Sequence, residues 1–420
     1  MAEMRNVICV VIDGLQPAFL GAYGNTWIAT PALDRLASES FVCDTALADT
    51  LDLARIYRGF WHGLPAIWPD AEPADSPSLI DRAAQAGWHT ALLTDDRQVA
   101  ELPAAANFSQ RTLLAVDDPS RPGPSRPGAS QPAAEVDETA AVRFMAEASR
   151  LLNEVRQPFF LWMHTRGLFG PWDAPYALRA QYADEEDPPP PAWLTPDWRE
   201  LGADLDPDEL LGLMHAYAGQ VSLWDECLGT WLEQFRSHPA ARNTLVVFLS
   251  PRGYPLGEHR QVGRIVPDLY GESVQLAWWW RFPDGLGAPA RTPALVLPAD
   301  LSPTISEWLD WPVAARPTGG HSLLPLARWE QFAVREAAVL TTGPDQWALR
   351  TPAWHLVASG AGDAQSVELY AKPGDRYEVN DVFIRAPEIA AGLAQELQRA
   401  RSTATAELSG LDPALVTVVD

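Results

Sequence analysis

The sequence is poor in cysteine, with three in 420 residues: Cys9, Cys43 and Cys227. All three lie in apolar surroundings, and none shows the spacing of metal ligands. An odd number of widely separated cysteines argues against a disulfide framework and favours a reducing compartment. We therefore expect small, buried cysteine side chains without a chemical role.

Basic residues are also scarce. Lys and Arg together number 31 against 55 Asp and Glu, which gives a net charge of −24. A chain this acidic repels the phosphate backbone of a nucleic acid, so a nucleic-acid partner is not expected.

Long apolar runs are absent as well. No uncharged run approaches the ~20 residues that a membrane-spanning helix needs. Residues 1–6 lead directly into a strand-like run, without a basic and apolar leader segment. We therefore expect a soluble, cytoplasmic protein with no membrane span.

Short apolar runs alternate with amphipathic segments. Four runs are typical of buried strands, at residues 7–12, 88–93, 159–164 and 243–249. Helical patterns fall between them, at residues 30–37, 76–87, 140–155 and 214–235. This alternation predicts an α/β domain over residues 1–326 with a large, mostly parallel sheet sandwiched by helices. The Pro-, Gly- and Ser-rich stretch 117–134 is expected to be a flexible insertion in it.

The last quarter of the chain has a different pattern. Two short strand candidates, residues 354–358 and 367–370, precede one helix at residues 387–401. This order predicts a small C-terminal α+β subdomain with an antiparallel sheet over residues 327–420.

Motifs in a fixed order cover nearly the whole chain. They include NVICVVIDGL (6–15), LGAYG (20–24), TPALDRLA (30–37), PFFLWMH (158–164), GPWDAP (170–175), LGEH (256–259), SLLPL (322–326) and ELY (368–370). With these motifs in this order, the chain resembles the sulfatase family of the alkaline phosphatase superfamily. The resemblance implies that family's fold, whereas function has to be argued from the site residues themselves.

The resemblance implies a nucleophile that this chain does not have. Sulfatases use a Cys or Ser, matured to formylglycine, in a Cys/Ser-x-Pro-x-Arg frame. Here the frame reads LDLAR, so that Leu51 stands at the nucleophile position, Leu53 replaces the proline and only Arg55 matches. Because leucine has no nucleophilic group, no intact catalytic residue is expected.

The resemblance also implies a divalent ion, usually calcium, held by residues that follow two strands. Of the first carboxylate pair Asp13 remains, and Gly14 takes the second position. The later Asp-Asn or Asp-His pair is replaced by Pro251 and Arg252. One carboxylate cannot hold calcium, which takes six to eight oxygen ligands, so no metal and no other cofactor is expected.

Four further positions of the family's site are changed. Asp95 and Arg97 fill the places of a Lys-x-His pair, Phe169 stands at a histidine position, and Arg264 replaces a lysine. We hypothesise that Arg252 occupies the vacated metal position and pairs with Asp13, because an unpartnered buried aspartate would be costly. The alternative is that Arg252 points from its loop into solvent.

These substitutions predict a pseudoenzyme with a binding role. The ligand would be an anionic small molecule, bound by residues drawn from Asp13, Arg55, Arg252, His259 and Arg264, or else a protein partner. Convergence of the arginines on one cleft would favour the small molecule. An exposed tryptophan patch would favour the protein.

The alternative is an active sulfate or phosphate ester hydrolase with a rebuilt site. Thr50 would be its nucleophile and calcium or another divalent ion its cofactor. It would use Asp13, Asp95, Asp96 and His259, with the carboxylates within about 5 Å of Asp13 around one ion. His164 and the tryptophans Trp278, Trp279 and Trp280 are interpreted as core residues.

Overall fold

The computed structural model of the chain describes residues 5–68, 77–115, 131–194, 198–202, 206–263, 268–312, 319–360, 366–406 and 408–418. Residues 117–130 of the expected insertion lie outside these ranges, and so does Arg264.

The described residues form strands and helices that alternate over most of the chain. The strands are β1 (Asn6–Ile12), β2 (Phe41–Leu47), β3 (His89–Thr94), β4 (Gln110–Leu113), β5 (Phe159–Thr165), β6 (Arg199–Glu200), β7 (Thr244–Leu249), β8 (Gln261–Val262), β9 (Gln275–Arg281), β10 (Arg291–Val296), β11 (Ala338–Gly343), β12 (Gln346–Arg350), β13 (Trp354–Ser359) and β14 (Ser366–Ala371). The helices are α1 (Pro31–Ser38), α2 (Leu53–His62), α3 (Leu79–Gln85), α4 (Arg97–Ala100), α5 (Ala140–Glu154), α6 (Tyr176–Ala180), α7 (Pro207–Ser237), α8 (Gly271–Val274), α9 (Leu301–Trp308), α10 (Leu324–Ala327), α11 (Pro387–Thr403) and α12 (Pro413–Val416).

The chain divides into two compact units. The first unit consists of Met1–Val42, Ala83–Val266 and Ala277–Pro289, and the second of Cys43–Arg82, Pro267–Leu276 and Ala290–Asp420. The domain boundary expected near residue 327 stays a prediction.

The first unit is built on a mostly parallel sheet. Its strand order is β9-β7-β1-β5-β3-β4, in which β9 is antiparallel to β7 and the other neighbours are parallel. Every residue of β1, β5 and β7 is buried. Strands buried on both faces explain the continuous apolar runs in the sequence. The predicted large, mostly parallel sheet is confirmed.

The parallel strands bring four chain segments to one edge of this sheet. Asp13 follows β1, Asp95 follows β3, Arg166 follows β5 and Ser250 follows β7. Because parallel strands end at the same edge, the polar side chains of these segments gather there.

Helix α1 is held in place by the long helix α7. The Asp225 carboxylate accepts hydrogen bonds from the N–H groups of Ala32 and Leu33 at 3.2 and 2.8 Å. Thr30 directly precedes α1 and has the residue type of an N-cap, but its hydroxyl instead accepts from the Gly21 N–H and donates to Asp34. A side chain distant in sequence therefore supplies the cap.

The second unit contains a four-stranded sheet in the order β11-β12-β13-β14, with antiparallel neighbours. Helix α11 packs its Leu393 and Leu397 in a core with Leu349 and Leu356 of this sheet. The small antiparallel C-terminal sheet is confirmed, and its strands β11 and β12 were not foreseen.

The tryptophan run of β9 lies in the core. Trp278, Trp279 and Trp280 are fully buried, as their interpretation as core residues requires. The described tryptophans that are exposed are Trp27, Trp193, Trp198 and Trp329. No described helix combines the length and the apolar character needed to cross a bilayer.

Candidate functional site

A buried ion pair lies at the sheet edge where β1 and β7 end. The Arg252 Nε is 3.1 Å from both carboxylate oxygens of Asp13, and its Nη2 is 2.6 Å from Oδ2. The side chains of Arg252 and Asp13 are only 8% and 1% exposed. The pairing hypothesised from the sequence is present, and the alternative that Arg252 points into solvent is wrong.

The backbone reinforces this pair. The N–H of Gly14 is 2.9 Å from Asp13 Oδ1 and 3.2 Å from the carbonyl oxygen of Arg252. Gly14 has a left-handed φ of 76°, which glycine adopts without steric cost. The turn after β1 is thereby joined to the turn after β7 through both side chain and backbone.

Phe169 fills the space beside the pair. The guanidinium carbon of Arg252 lies 4.9 Å from the centre of the Phe169 ring, within the range of a cation–π contact. A Cβ added to Gly14 would meet Cδ2 of the Phe169 ring at 3.1 Å and Cβ of Leu168 at 3.0 Å. Gly14, Phe169 and Arg252, three of the positions expected to differ from the family, therefore pack as one set.

Two further polar side chains face the pair. The ligating atoms of Asp13, Asp96 and His164 all lie within 4.8 Å of one another. His164 is fully buried on β5, and its Nε2 is 3.8 Å from Asp96 Oδ2. Burial alone would raise the pKa of Asp96. The nearby imidazole of His164, the hydrogen bond from the Gln98 N–H and the charge of Arg252 outweigh burial and lower that pKa to about 2.

Asp95, next in the chain to Asp96, is directed elsewhere. Its carboxylate accepts hydrogen bonds from Thr165 Oγ1 at 2.9 Å and from the Arg166 N–H at 2.7 Å. Burial raises the pKa of Asp95, although these hydrogen bonds and nearby positive charges oppose the shift. Asp95 therefore ties the end of β3 to the end of β5, and it is not in the group formed by Asp13, Asp96 and His164.

This donor set does not fit calcium. Both oxygens of Asp13 are engaged by Arg252, and the other ligating groups near it among the described residues are the Asp96 carboxylate and the His164 imidazole. Calcium takes six to eight oxygen ligands, and a buried guanidinium repels any cation at this point.

Pro251 and His259 are two further expected site residues of the first unit. Pro251 is buried, and His259 is half-buried with a left-handed φ of 45°. Such a backbone conformation is uncommon for a residue with a side chain and marks a constrained turn. The role of His259 stays a prediction, and so does that of Arg264.

The segment expected to correspond to the nucleophile frame, residues 51–55, belongs to the second unit, where it begins α2. Asp52 caps this helix by accepting from the Arg55 N–H at 3.0 Å, and Arg55 is half-buried. Leu51 is buried. The hydroxyl of Thr50 is buried too and accepts a long, 3.4 Å hydrogen bond from the Asp52 N–H. Within the part of the chain that the structure describes, no base is bonded to Thr50, so this segment shows no activated nucleophile.

Asp96 and His164 are the polar neighbours of the ion pair. The alternative of a rebuilt site places Asp96 near Asp13, whereas His164 was interpreted only as a core residue. His164 pairs in register with Val11 of β1 and with Thr94 of β3. The signal in the sequence is that both residues lie at or just after the ends of predicted strands. To predict that they are neighbours, the order of the strands in the sheet is also needed, and the sequence does not state it.

Comparisons with known proteins agree with this architecture. The family model for sulfatases matches residues 5–311. A multifunctional alkaline phosphatase superfamily protein of Trinickia caryophylli is 28% identical over 132 residues, which are 30% of this chain and 24% of that protein. Arylsulfatase K of Canis lupus familiaris is 23% identical over 202 residues, 45% of this chain and 37% of that protein. The aligned part thus spans well under half the length of either curated relative.

A solved structure shows the same fold. The phosphonate monoester hydrolase of Agrobacterium radiobacter superposes with a TM-score of 0.77 at 19% identity, over 95% of this chain and 96% of that chain. At this level of identity the likeness concerns the fold alone.

Replacing Arg252 by methionine is expected to lower the free energy of unfolding by about 3–5 kcal/mol, because it leaves the Asp13 carboxylate buried without its partner. Urea unfolding in the presence of a chelator measures this loss. The matched change Arg97→Met removes an arginine that is 68% exposed and should cost about 0.5 kcal/mol or less. Equal losses in the two variants would contradict the account of the buried pair.

The stability is expected to depend on the charge of Asp96 at acid pH. Its pKa is about 2 in the folded chain against an ordinary value of 3.8, so its contribution is present above about pH 4 and is lost as the pH falls towards 2. Asp96→Asn keeps a cap for the Gln98 N–H and removes this titration. Between pH 5 and 2.5 the variant should lose about 2 kcal/mol less than the unchanged protein. Glu101→Gln, at an exposed carboxylate, is the control. Identical pH profiles for Asp96→Asn and the unchanged protein would refute this role.

Proposed function

This chain belongs to the sulfatase family, and we propose that it is a member without the family's metal-dependent ester hydrolysis. The observation that carries the proposal is the Arg252 guanidinium bonded to both oxygens of Asp13. A fixed positive charge at this point takes up the one carboxylate left from the family's metal site. A cation that is part of the chain cannot activate a bound nucleophile as a metal ion does.

The other substitutions support the same proposal. Leu51 stands where the family carries its nucleophile, and it is a buried side chain without a reactive group. Phe169 replaces a histidine and packs on Arg252. A return to metal catalysis would therefore require changes in several packed side chains at once.

The proposed remaining role is binding, of an anionic small molecule in the first place. The relatives' names, arylsulfatase and phosphonate monoester hydrolase, refer to anionic ester groups. The positive charge of Arg252 is largely offset by Asp13 and Asp96, so the proposed anion contacts fall mainly to Arg55 and Arg264. Arg55 lies in the first turn of α2, where helix N–H groups favour negative charge. Convergence of these arginines on one cleft remains a prediction.

A second candidate function has one observation in its favour. Asp96 lies within the distance of Asp13 that a rebuilt metal site requires, and His164 adds a nitrogen ligand. An active hydrolase would need Arg252 to leave Asp13 and Thr50 to be activated. The buried pair opposes the first of these steps.

Calorimetric titration of calcium, manganese and zinc into the chelator-stripped protein separates the two candidates. The expected result is no saturable binding up to millimolar metal, together with no hydrolysis of p-nitrophenyl sulfate, phosphate or phenylphosphonate. Micromolar binding of one ion together with turnover that is lost in Thr50→Ala would establish the active hydrolase instead.

The anion-binding role is tested with inorganic sulfate as the probe. We expect sulfate to raise the thermal unfolding midpoint of the unchanged protein and to bind about tenfold more weakly to Arg55→Met, because one charge-assisted contact is lost. Arg399→Met, at an exposed arginine, should behave as the unchanged protein does. If Arg55→Met binds sulfate with unchanged affinity, or if the unchanged protein binds no sulfate, the anion-binding role is excluded. Binding of a protein partner is then the favoured role.

A further inference from the structure

We infer that Asp13, Asp96 and His164 form a latent site for a divalent transition-metal ion of the zinc type, which the Arg252 guanidinium keeps closed. The inference rests on the proposed function, because it treats Arg252 as the resident cation of the site. Asp96 and His164 stand at positions outside the expected metal-binding frame to which Asp13 belongs.

The geometry is near that of a three-ligand site. The three ligating atoms lie within 4.8 Å of one another, and His164 Nε2 is 3.8 Å from Asp96 Oδ2. Zinc binds nitrogen and oxygen at about 2.0–2.2 Å, which places tetrahedral ligands about 3.3 Å apart. The atoms would have to approach one another by roughly 0.5–1.5 Å, a displacement that small side-chain rotations supply.

The backbone holds the three ligands at fixed places. His164 lies on β5, between β1 and β3, while Asp13 and Asp96 follow those two strands. The Gln98 N–H, bonded to Asp96 Oδ1 at 2.7 Å, leaves Oδ2 of Asp96 directed at His164. Ligands that are placed in advance by a sheet edge lose little conformational entropy on binding.

The chemistry of the set selects the class of ion. Two carboxylates and one imidazole suit zinc or cobalt, which accept four ligands and leave one position for water. Calcium would need several more oxygens.

Arg252 closes this site by charge and by contact. Its guanidinium engages both oxygens of Asp13 and lies close enough to Asp96 to lower the pKa of that carboxyl group. Removal of the guanidinium leaves two carboxylates and an imidazole around a space without a cation. A divalent ion would neutralise that negative charge, as the arginine does now.

The test measures zinc binding to the chelator-stripped variant Arg252→Ala by calorimetry. With cobalt in place of zinc, the visible absorption of a tetrahedral ion reports binding. We expect one zinc per chain, bound about 100-fold or more tightly than to the unchanged protein. We also expect zinc to raise the thermal midpoint of this variant alone. Arg399→Ala, at an exposed arginine, controls for adventitious zinc on half-buried histidines such as His238 and His321. The double variant Arg252→Ala with Asp96→Asn should lose at least about tenfold in affinity.

A second variant guards against misfolding. Arg252→Gln is neutral and fills much of the arginine's volume. Its refolding from urea is measured with and without zinc, so the test can be made even if Arg252→Ala does not fold. The inference is overturned if neither variant binds zinc more tightly than the unchanged protein, or if Asp96→Asn leaves the gained affinity intact. That failure would leave the proposed function standing. The proposed function fails separately, if the unchanged protein binds a metal and hydrolyses esters.

Discussion

The buried pair between Asp13 and Arg252 is the interaction on which the rest of the site depends. It joins the ends of two adjacent parallel strands, β1 and β7, at the edge of the sheet where α/β proteins collect their ligands. A carboxylate and a guanidinium that are both withdrawn from water are each costly alone and tolerable together. The pair therefore constrains its neighbours, since any group that competes for Asp13 has to displace a buried cation.

The residues packed around this pair fit its geometry. The aromatic ring of Phe169 covers the guanidinium, and Gly14 leaves the space that this ring occupies. A single change among the three would produce a clash, a cavity or an unpartnered charge. Their packing as one set supports the view that the site has a stable arrangement of its own, in which an arginine stands where relatives are expected to hold a metal ion.

The sheet and the Asp13–Arg252 pair could be predicted from the sequence, but the full set of residues around the pair could not. Asp13 and Arg252 follow continuous apolar runs, so their place at one edge could be predicted from strand ends alone. His164 belongs to an equally clear strand, but its position beside Asp96 depends on β5 lying between β1 and β3. Strand order comes from tertiary packing and is not encoded in any local pattern.

Local patterns failed elsewhere as well. The cap of α1 comes from Asp225, about two hundred residues along the chain, although Thr30 has the residue type and position of a cap. Strands β11 and β12 were not predicted, although β11 contains the strand-forming run 339–342 and pairs with β12 across a short turn. For α1, by contrast, a distant partner decides the structure that the local sequence leaves open.

Anomalous X-ray diffraction from crystals soaked in millimolar manganese tests the central claim most directly, because it locates a bound ion independently of any activity. The account predicts no anomalous peak beside Asp13, with the Arg252 guanidinium still bonded to both carboxylate oxygens. A manganese peak bonded to Asp13, with Arg252 displaced from it, would contradict the claim that an internal arginine has replaced the metal ion.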